Sequence, residues 1–175
     1  MKSIFLLGFL LVASFGAARL RNNPQSAWRV GLRSYGPVAY GMSLAEASSA
    51  LREPLEGDTT DPDACDYVFP KLVPKGVKFM VVGGRLERVD VDSVGVETIS
   101  GVHVGSTEAE VNDKYPGQIQ TKPHPYTEPE GHYLVYRPRD PADTIFALIF
   151  ETDGKVVTRF RAGRRPPVEY IEGCS

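Results

Sequence analysis

The sequence predicts an α+β fold made of two tandem units, each a short capped helix followed by an antiparallel β-hairpin or meander sheet. Three observations predict it. Residues 41–51, GMSLAEASSAL, return in outline as residues 105–115, GSTEAEVNDKY. Each copy opens with Ser or Thr followed three positions later by Glu. Each is followed by an apolar, β-rich run broken at Gly83-Gly84 or Asp153-Gly154 and then resumed as an alternating strand. The copies are offset by 64 residues at the helices and by 70 at the turns, so the second unit carries a small insertion. Matching segments at a fixed order are the mark of internal duplication.

Taken in order, residues 1–18, MKSIFLLGFLLVASFGAA, have the grammar of a secretory signal. The basic Lys2 precedes an apolar run from Ile4 to Phe15 and then small residues, with cleavage expected after Ala18. The run is shorter than the roughly 20 apolar residues that cross a bilayer, and no Cys near the cut marks a lipid anchor. Residues 19–34 read as a lead-in, polar up to Val30 with Trp28 as its only anchor.

The first unit, residues 35–94, begins with a helix started by Ser43. The Ser43 hydroxyl accepts a free backbone N–H at the helix start, and Glu46 reaches back to the cap. Leu44, Ala47 and Leu51 share one helical face, and Pro54 stops the helix. A hairpin follows over residues 77–91, VKFMVVGGRLERVDV, where the Gly pair suits a tight turn needing positive φ. Arg88 and Asp90 stand two apart on its second strand and read as an internal ion pair. The junction is placed in DSVGVETISG, residues 92–101.

The second unit, residues 95–175, repeats the pattern. Thr107 and Glu110 form the cap, Val111 and Tyr115 the inner face, Pro116-Gly117 the stop, and residues 145–162 the hairpin. The extra length falls in TKPHPYTEPEGHY, residues 121–133, read as a Pro-rich loop. Prolines lower the cost of ordering a loop, and Tyr and His offer rigid amphipathic contact area. His124, Tyr126, His132 and Tyr133 are therefore candidate binding residues. The same histidines beside Glu128 and Glu130 could instead hold a metal or serve a hydrolase, although their spacing matches no metal signature. On the last strand Arg159 and Arg161 share a face while Phe160 points to the core, giving a cationic patch suited to an acidic partner or an anionic glycan.

The helix-opening pattern Gly41-Met42-Ser43 with Glu46-Ala47, followed by a hairpin meander, resembles the beta-lactamase inhibitory protein family. It is also similar to the small lipoproteins of the outer-membrane barrel-assembly machine. The first resemblance implies two helix-plus-sheet units in tandem, whose concave sheet grips a protein target without a cofactor. The chain departs from that family in having only Cys65 and Cys174, where the family places a bond within each unit. It departs from the lipoproteins in lacking the lipid-bearing Cys.

Two cysteines in an exported chain allow one pairing, Cys65–Cys174. Twenty basic and 22 acidic residues nearly cancel, which excludes nucleic-acid binding through bulk charge. There is no G-x-S-x-G elbow, no Ser–His–acid ordering and no phosphate-binding glycine loop. The sequence thus points to a periplasmic or secreted binding or inhibitor-like protein that recognises a protein or glycan and needs no cofactor. Its alternatives are an exported hydrolase using a His/Glu site in residues 121–133, and a structural cell-envelope protein.

Overall fold

A computed structural model describes residues 28–57, 61 and 64–174. The expected signal peptide over residues 1–18, and residues 19–27 of the lead-in, lie outside them. Within the described residues the chain runs β1 (Arg29–Val30), β2 (Ser34–Tyr35), β3 (Val38–Ala39), α1 (Leu44–Leu51), β4 (Cys65–Val68), β5 (Val77–Val82), β6 (Arg85–Val91), β7 (Glu97–Thr98), α2 (Glu108–Lys114), β8 (Ile119–Pro123), β9 (His132–Tyr136), β10 (Phe146–Thr152) and β11 (Val157–Arg164). The class is α+β.

Both helices start as their caps dictate. The Ser43 hydroxyl accepts the Glu46 N–H at 3.3 Å, and the Glu46 carboxylate accepts the Ser43 N–H at 2.8 Å. Thr107 and Glu110 do the same at 3.2 and 2.6 Å. These backbone bonds, with those from the cap hydroxyls, hold the Glu46 and Glu110 carboxyls below the ordinary glutamate range. The α1 helix ends where Arg52 turns left-handed, at φ 58°, and its N–H donates to the Ser48 and Ser49 carbonyls.

The hairpins carry the expected turns, with one shift in register. Val82 pairs with Arg85 across Gly83-Gly84, both at positive φ, the demand of a type I′ turn. In the other hairpin the Asp153 N–H donates to the Val156 carbonyl, so Gly154-Lys155 is the centre, and only Gly154 has positive φ. The Asp153 carboxylate accepts the Lys155 and Val156 N–H groups, each at 2.9 Å, which places it before the turn and not within it. Gly83 therefore matches Gly154, an offset of 71 and not 70. Each hairpin also has one unpaired bulge residue, Glu87 between the Val81↔Leu86 and Met80↔Arg88 pairs, and Thr158 between Thr152↔Val157 and Glu151↔Arg159.

The hairpins join into one seven-stranded antiparallel sheet, ordered β4-β5-β6-β11-β10-β9-β8. Its seam is β6–β11, where Val91, Asp90, Val89 and Arg88 meet Phe160, Arg161, Ala162 and Gly163. A Cβ on Gly163 would strike the Glu87 carbonyl and the Arg88 backbone, so glycine lets β11 close on the bulged strand. One face of the sheet packs Phe79, Val89, Val91, Leu134, Leu148, Phe150 and Phe160 against Ala47 and Leu51 of α1, Val111 and Tyr115 at α2, and Tyr35 and Val38.

Three expectations change. Trp28 is not the sole anchor of the lead-in: Val30 is buried, and β1 pairs with β2 and, in parallel, with β7 in a four-stranded sheet ordered β3-β2-β1-β7. Residues 92–101 are not a plain junction, because β7 lies within them and Val96 is buried. Residues 121–133 are not all loop: β8 and β9 take both ends, leaving 124–131 as the connection. Propensity hides these strands because they are two to five residues long, and β8 holds only one apolar side chain besides its proline.

Each helix start also pairs with its own hairpin. Gly41 donates to Leu86, Leu86 to Met42 and Leu44 to Gly84, at 2.6, 2.8 and 3.2 Å. In the other half Gly105 donates to Val157, Val157 to Ser106 and Glu108 to Lys155, at 2.8, 2.8 and 3.1 Å.

Cys65 at the start of β4 is bonded to Cys174, with a Cα–Cα distance of 5.2 Å and a sequence separation of 109. Among the described residues no helix is long and apolar enough to cross a membrane.

Two tests follow from this architecture. Ser43→Ala and Thr107→Ala should each lower unfolding free energy by about 1 kcal/mol in urea titrations. The lowered Glu46 and Glu110 pKa values mean that the reciprocal bonds contribute fully above the ordinary glutamate pKa and are lost as pH falls through the lowered one. The cost of either substitution should then shrink in acid, because each also removes a hydroxyl that donates to that carboxylate, at 2.8 Å from Ser43 and 3.1 Å from Thr107. Reduction of Cys65–Cys174 should lower the melting temperature by several degrees, since closing so long a loop contributes at most about 4–5 kcal/mol.

Candidate functional site

The candidate site lies on the sheet face opposite the helices, under the C-terminal segment. Alternation along β11 sends Phe160 and Ala162 to the core and Arg159 and Arg161 to this second face. Alternation along β6 likewise sends Val89 and Val91 inward and Arg88 and Asp90 outward. Tyr133 and Val135 of β9 and Ala147 and Ile149 of β10 complete the face as a small apolar cluster. After β11 the chain doubles back over it. A 3-10 turn at Pro167–Glu169 inserts Val168, fully buried, into that cluster.

Two buried arginines hold the returning segment by its backbone. The Arg161 Nε donates to the Val168 carbonyl at 2.7 Å. The Arg88 Nη1 donates to the Pro167 and Tyr170 carbonyls at 3.1 and 2.8 Å, and its Nη2 donates to the Tyr67 hydroxyl at 3.1 Å. Each arginine keeps a carboxylate beside it, because a buried guanidinium without one would cost several kcal/mol. For Arg88 this is Asp90, at 2.7–3.0 Å. For Arg161 it is Glu151, whose other oxygen takes His124 Nε2 at 3.3 Å and Arg159 Nε at 3.4 Å.

This arrangement assigns each sequence candidate a place. Arg161 is 3% exposed, so it does not form a solvent-facing cationic patch with Arg159; Glu151 neutralises it and the tail covers it. Arg159 is exposed at the rim, with 65% of its side chain accessible. His124 is buried against the Tyr133 ring, 4.6 Å between centroids, and its Nδ1 accepts the Tyr126 N–H at 3.2 Å. The proton therefore sits on Nε2 and points at Glu151. The Arg161 guanidinium lies 5.2 Å from the centroid of the Tyr133 ring, and burial, with Glu151 behind it, pushes the Tyr133 hydroxyl pKa up. Tyr126 is 64% exposed and its hydroxyl donates to the Glu172 carboxylate, a bond that raises its pKa. His132 faces the other side of the sheet, where its Nδ1 meets Glu108 of α2 at 2.8 Å. The two histidines thus serve different carboxylates on opposite faces, and among the described residues no three His, Cys, Asp or Glu converge to hold a metal ion.

The sequence reading missed Glu151, Tyr67 and the tail residues Val168, Tyr170, Ile171 and Glu172. Glu151 was legible as a lone acid in an apolar strand, and the tail as a segment that a Cys65–Cys174 bond would force back across the sheet. Tyr170 and Ile171 are 38% and 47% exposed. With Tyr126, Glu172, Gly173 and the disulfide they line an open groove of about 560 Å³. Beneath residues 171–173 is a smaller cavity of about 180 Å³, lined by charged side chains including Lys78, Asp92 and Arg159.

No family model and no curated protein matches the chain. Among solved structures it is similar to the uncharacterized protein YfeY from Escherichia coli, at 13% identity, over 78% of this chain and 99% of that one, with a TM-score of 0.45.

The buried charges make a sharp test. Glu151→Ala should destabilise by about 3–5 kcal/mol because it leaves Arg161 buried and unpaired. Adding Arg161→Met should recover much of that loss in denaturant titrations.

Proposed function

We propose that this chain is an exported binding protein that recognises a protein partner by surface complementarity, without a cofactor, through the outer side of its C-terminal segment. One observation carries the reading. Tyr126, Tyr170 and Ile171 are exposed together along a groove whose backbone is immobilised from below. Arg88, Arg161 and Val168 hold residues 167–170, and the disulfide and the Tyr126–Glu172 bond hold the end. Apolar anchors already fixed in place lose little entropy on binding, and interface energy concentrates in such residues.

Other features support the same reading. The side chains best suited to acid–base work are occupied: Glu151 by Arg161 and His124, Asp90 by Arg88, Glu108 by His132, and Glu46 and Glu110 by the helix caps. The disulfide and the signal-like residues 1–18 support export to the periplasm or beyond. The two halves are, in this proposal, copies of one helix-plus-hairpin unit. Matched caps, three matched helix-to-hairpin hydrogen bonds and bulges at Glu87 and Thr158 support that duplication. So does the resemblance to the inhibitor family in the helix-opening motif.

The test is affinity capture from a cell-envelope extract, followed by titration calorimetry with the captured protein. Tyr126→Ala and Ile171→Ala should each weaken binding by more than about 1 kcal/mol while leaving the melting temperature nearly unchanged. If neither alters affinity, the interface is elsewhere.

A further inference from the structure

We infer that the loop joining β4 to β5, with the turn after β6, is a membrane-surface contact that docks on anionic lipid headgroups. The proposal is independent of the tail groove and uses none of its residues. The loop, residues 69–76, reads FPKLVPKG. Phe69 is 68% exposed and Leu72 43%, yet between them Pro70 is buried, and Val73 is 8% exposed within the main core. The loop is fixed in this outward pose. Glu53, just past α1 and itself only 8% exposed, takes the Lys71 N–H on one carboxylate oxygen and the Leu72 N–H, at 2.9 Å, on the other. A buried carboxylate given to two backbone groups is a strong restraint, because unsatisfied it would be costly. The far end of the loop is tied to the next turn: the Ser93 hydroxyl donates to the Lys75 carbonyl at 2.5 Å, and the Asp92 N–H to the Gly76 carbonyl at 3.0 Å. That turn carries Val94, 75% exposed.

The result is a pre-organised loop pair bearing three exposed apolar side chains and two exposed lysines, Lys71 and Lys75, with no ion-pair partner among the described residues. Glu53 is spent inside, which leaves Asp92 as the exposed carboxylate of these two turns. Glu128 and Glu130 belong to the β8–β9 connection at the same end of the sheet but three to four strands beyond β6, roughly 15–20 Å away and beyond a Debye length of about 8 Å, while Asp153, in the nearer β10–β11 turn, has Lys155 beside it. An apolar tip flanked by lysines matches a lipid interface: Phe, Leu and Val enter the headgroup–acyl boundary, and the lysine stems lie along them with the ammonium groups on the phosphates. Glu53 faces inward, so the solvent-facing side of the tip presents two ammonium groups against the one carboxylate of Asp92, and that exposed excess favours an anionic leaflet, although the whole chain carries a formal net charge of −2.

The experiment is co-sedimentation of the oxidised chain with phosphatidylglycerol/phosphatidylcholine vesicles, with pure phosphatidylcholine vesicles, and with anionic vesicles plus excess glycerol phosphate. Binding is expected to the anionic vesicles, to weaken several-fold with salt, and to survive the soluble headgroup. Phe69→Ser with Leu72→Ser should weaken it at least tenfold. Lys71→Gln with Lys75→Gln, which removes no apolar packing, should weaken it several-fold, and Tyr126→Ala should leave it unchanged. No association with anionic vesicles overturns the proposal, as does association that both pairs of substitutions leave intact. Loss of vesicle binding to glycerol phosphate alone also overturns it, since the loop would then be a soluble-anion site.

Discussion

Everything in this molecule hangs on the pairing of β6 with β11. Each hairpin alone is a two-stranded ribbon, marginal in water, and each half has too little interior to bury much of itself. Joining them along Val91↔Phe160 and Val89↔Ala162 makes one sheet long enough to carry both helices on a single face. The alternating pairs of the same seam, Asp90↔Arg161 and Arg88↔Gly163, set the other face. Because side chains alternate with a period of two, aligning Val89 and Phe160 toward the core forces Arg88, Asp90 and Arg161 onto the opposite side. The charged face is therefore a geometric consequence of how the core is closed, and Gly163 is the residue that lets the strands approach there.

That consequence is turned to use by the C-terminal segment. Buried guanidinium groups need partners, and here each finds a carboxylate and main-chain carbonyls: Asp90 with Pro167 and Tyr170 for Arg88, Glu151 with Val168 for Arg161. The returning chain in turn needs somewhere to place Val168 and to satisfy its carbonyls, and the cluster of Tyr133, Val135, Ala147 and Ile149 supplies the first need. Tail and face complete each other. Replacing the pairs by apolar residues need not destabilise such a region, but it would leave the position of the tail undetermined, and with it the groove beside Tyr126.

The two exposed apolar regions are built by the same device. Beneath the tail, Arg88 and Arg161 bind backbone carbonyls; under the β4–β5 loop, Glu53 binds backbone N–H groups. In each case a buried charge holds main chain still, so that Tyr170 and Ile171, or Phe69 and Leu72, stand outward at little entropic cost on contact. The surface groups are ordinary; what distinguishes them is the restraint below.

What the sequence determined by itself is local. Ser43 with Glu46, and Thr107 with Glu110, specify helix starts because the bonds that define them span three residues. Gly83-Gly84 specifies its turn through positive φ, and the two cysteines admit one pairing. Arg88 with Asp90, two apart on one strand, were legible as a pair for the same reason. Only the tertiary structure decided the remainder. The five-residue strand β8 is drawn into the sheet by β9 and not by its own propensity, and β1 is ordered by pairing with β7, 68 residues away. Arg159 and Arg161 share a face as alternation requires, but whether that face meets water or a returning chain depends on Val168 and Glu151. His124 and His132 lie close in sequence, yet opposite sides of the sheet separate them. Sequence reads contacts within a turn or along one strand; which strand lies alongside, and what covers the face so formed, is set by burial summed over the whole chain.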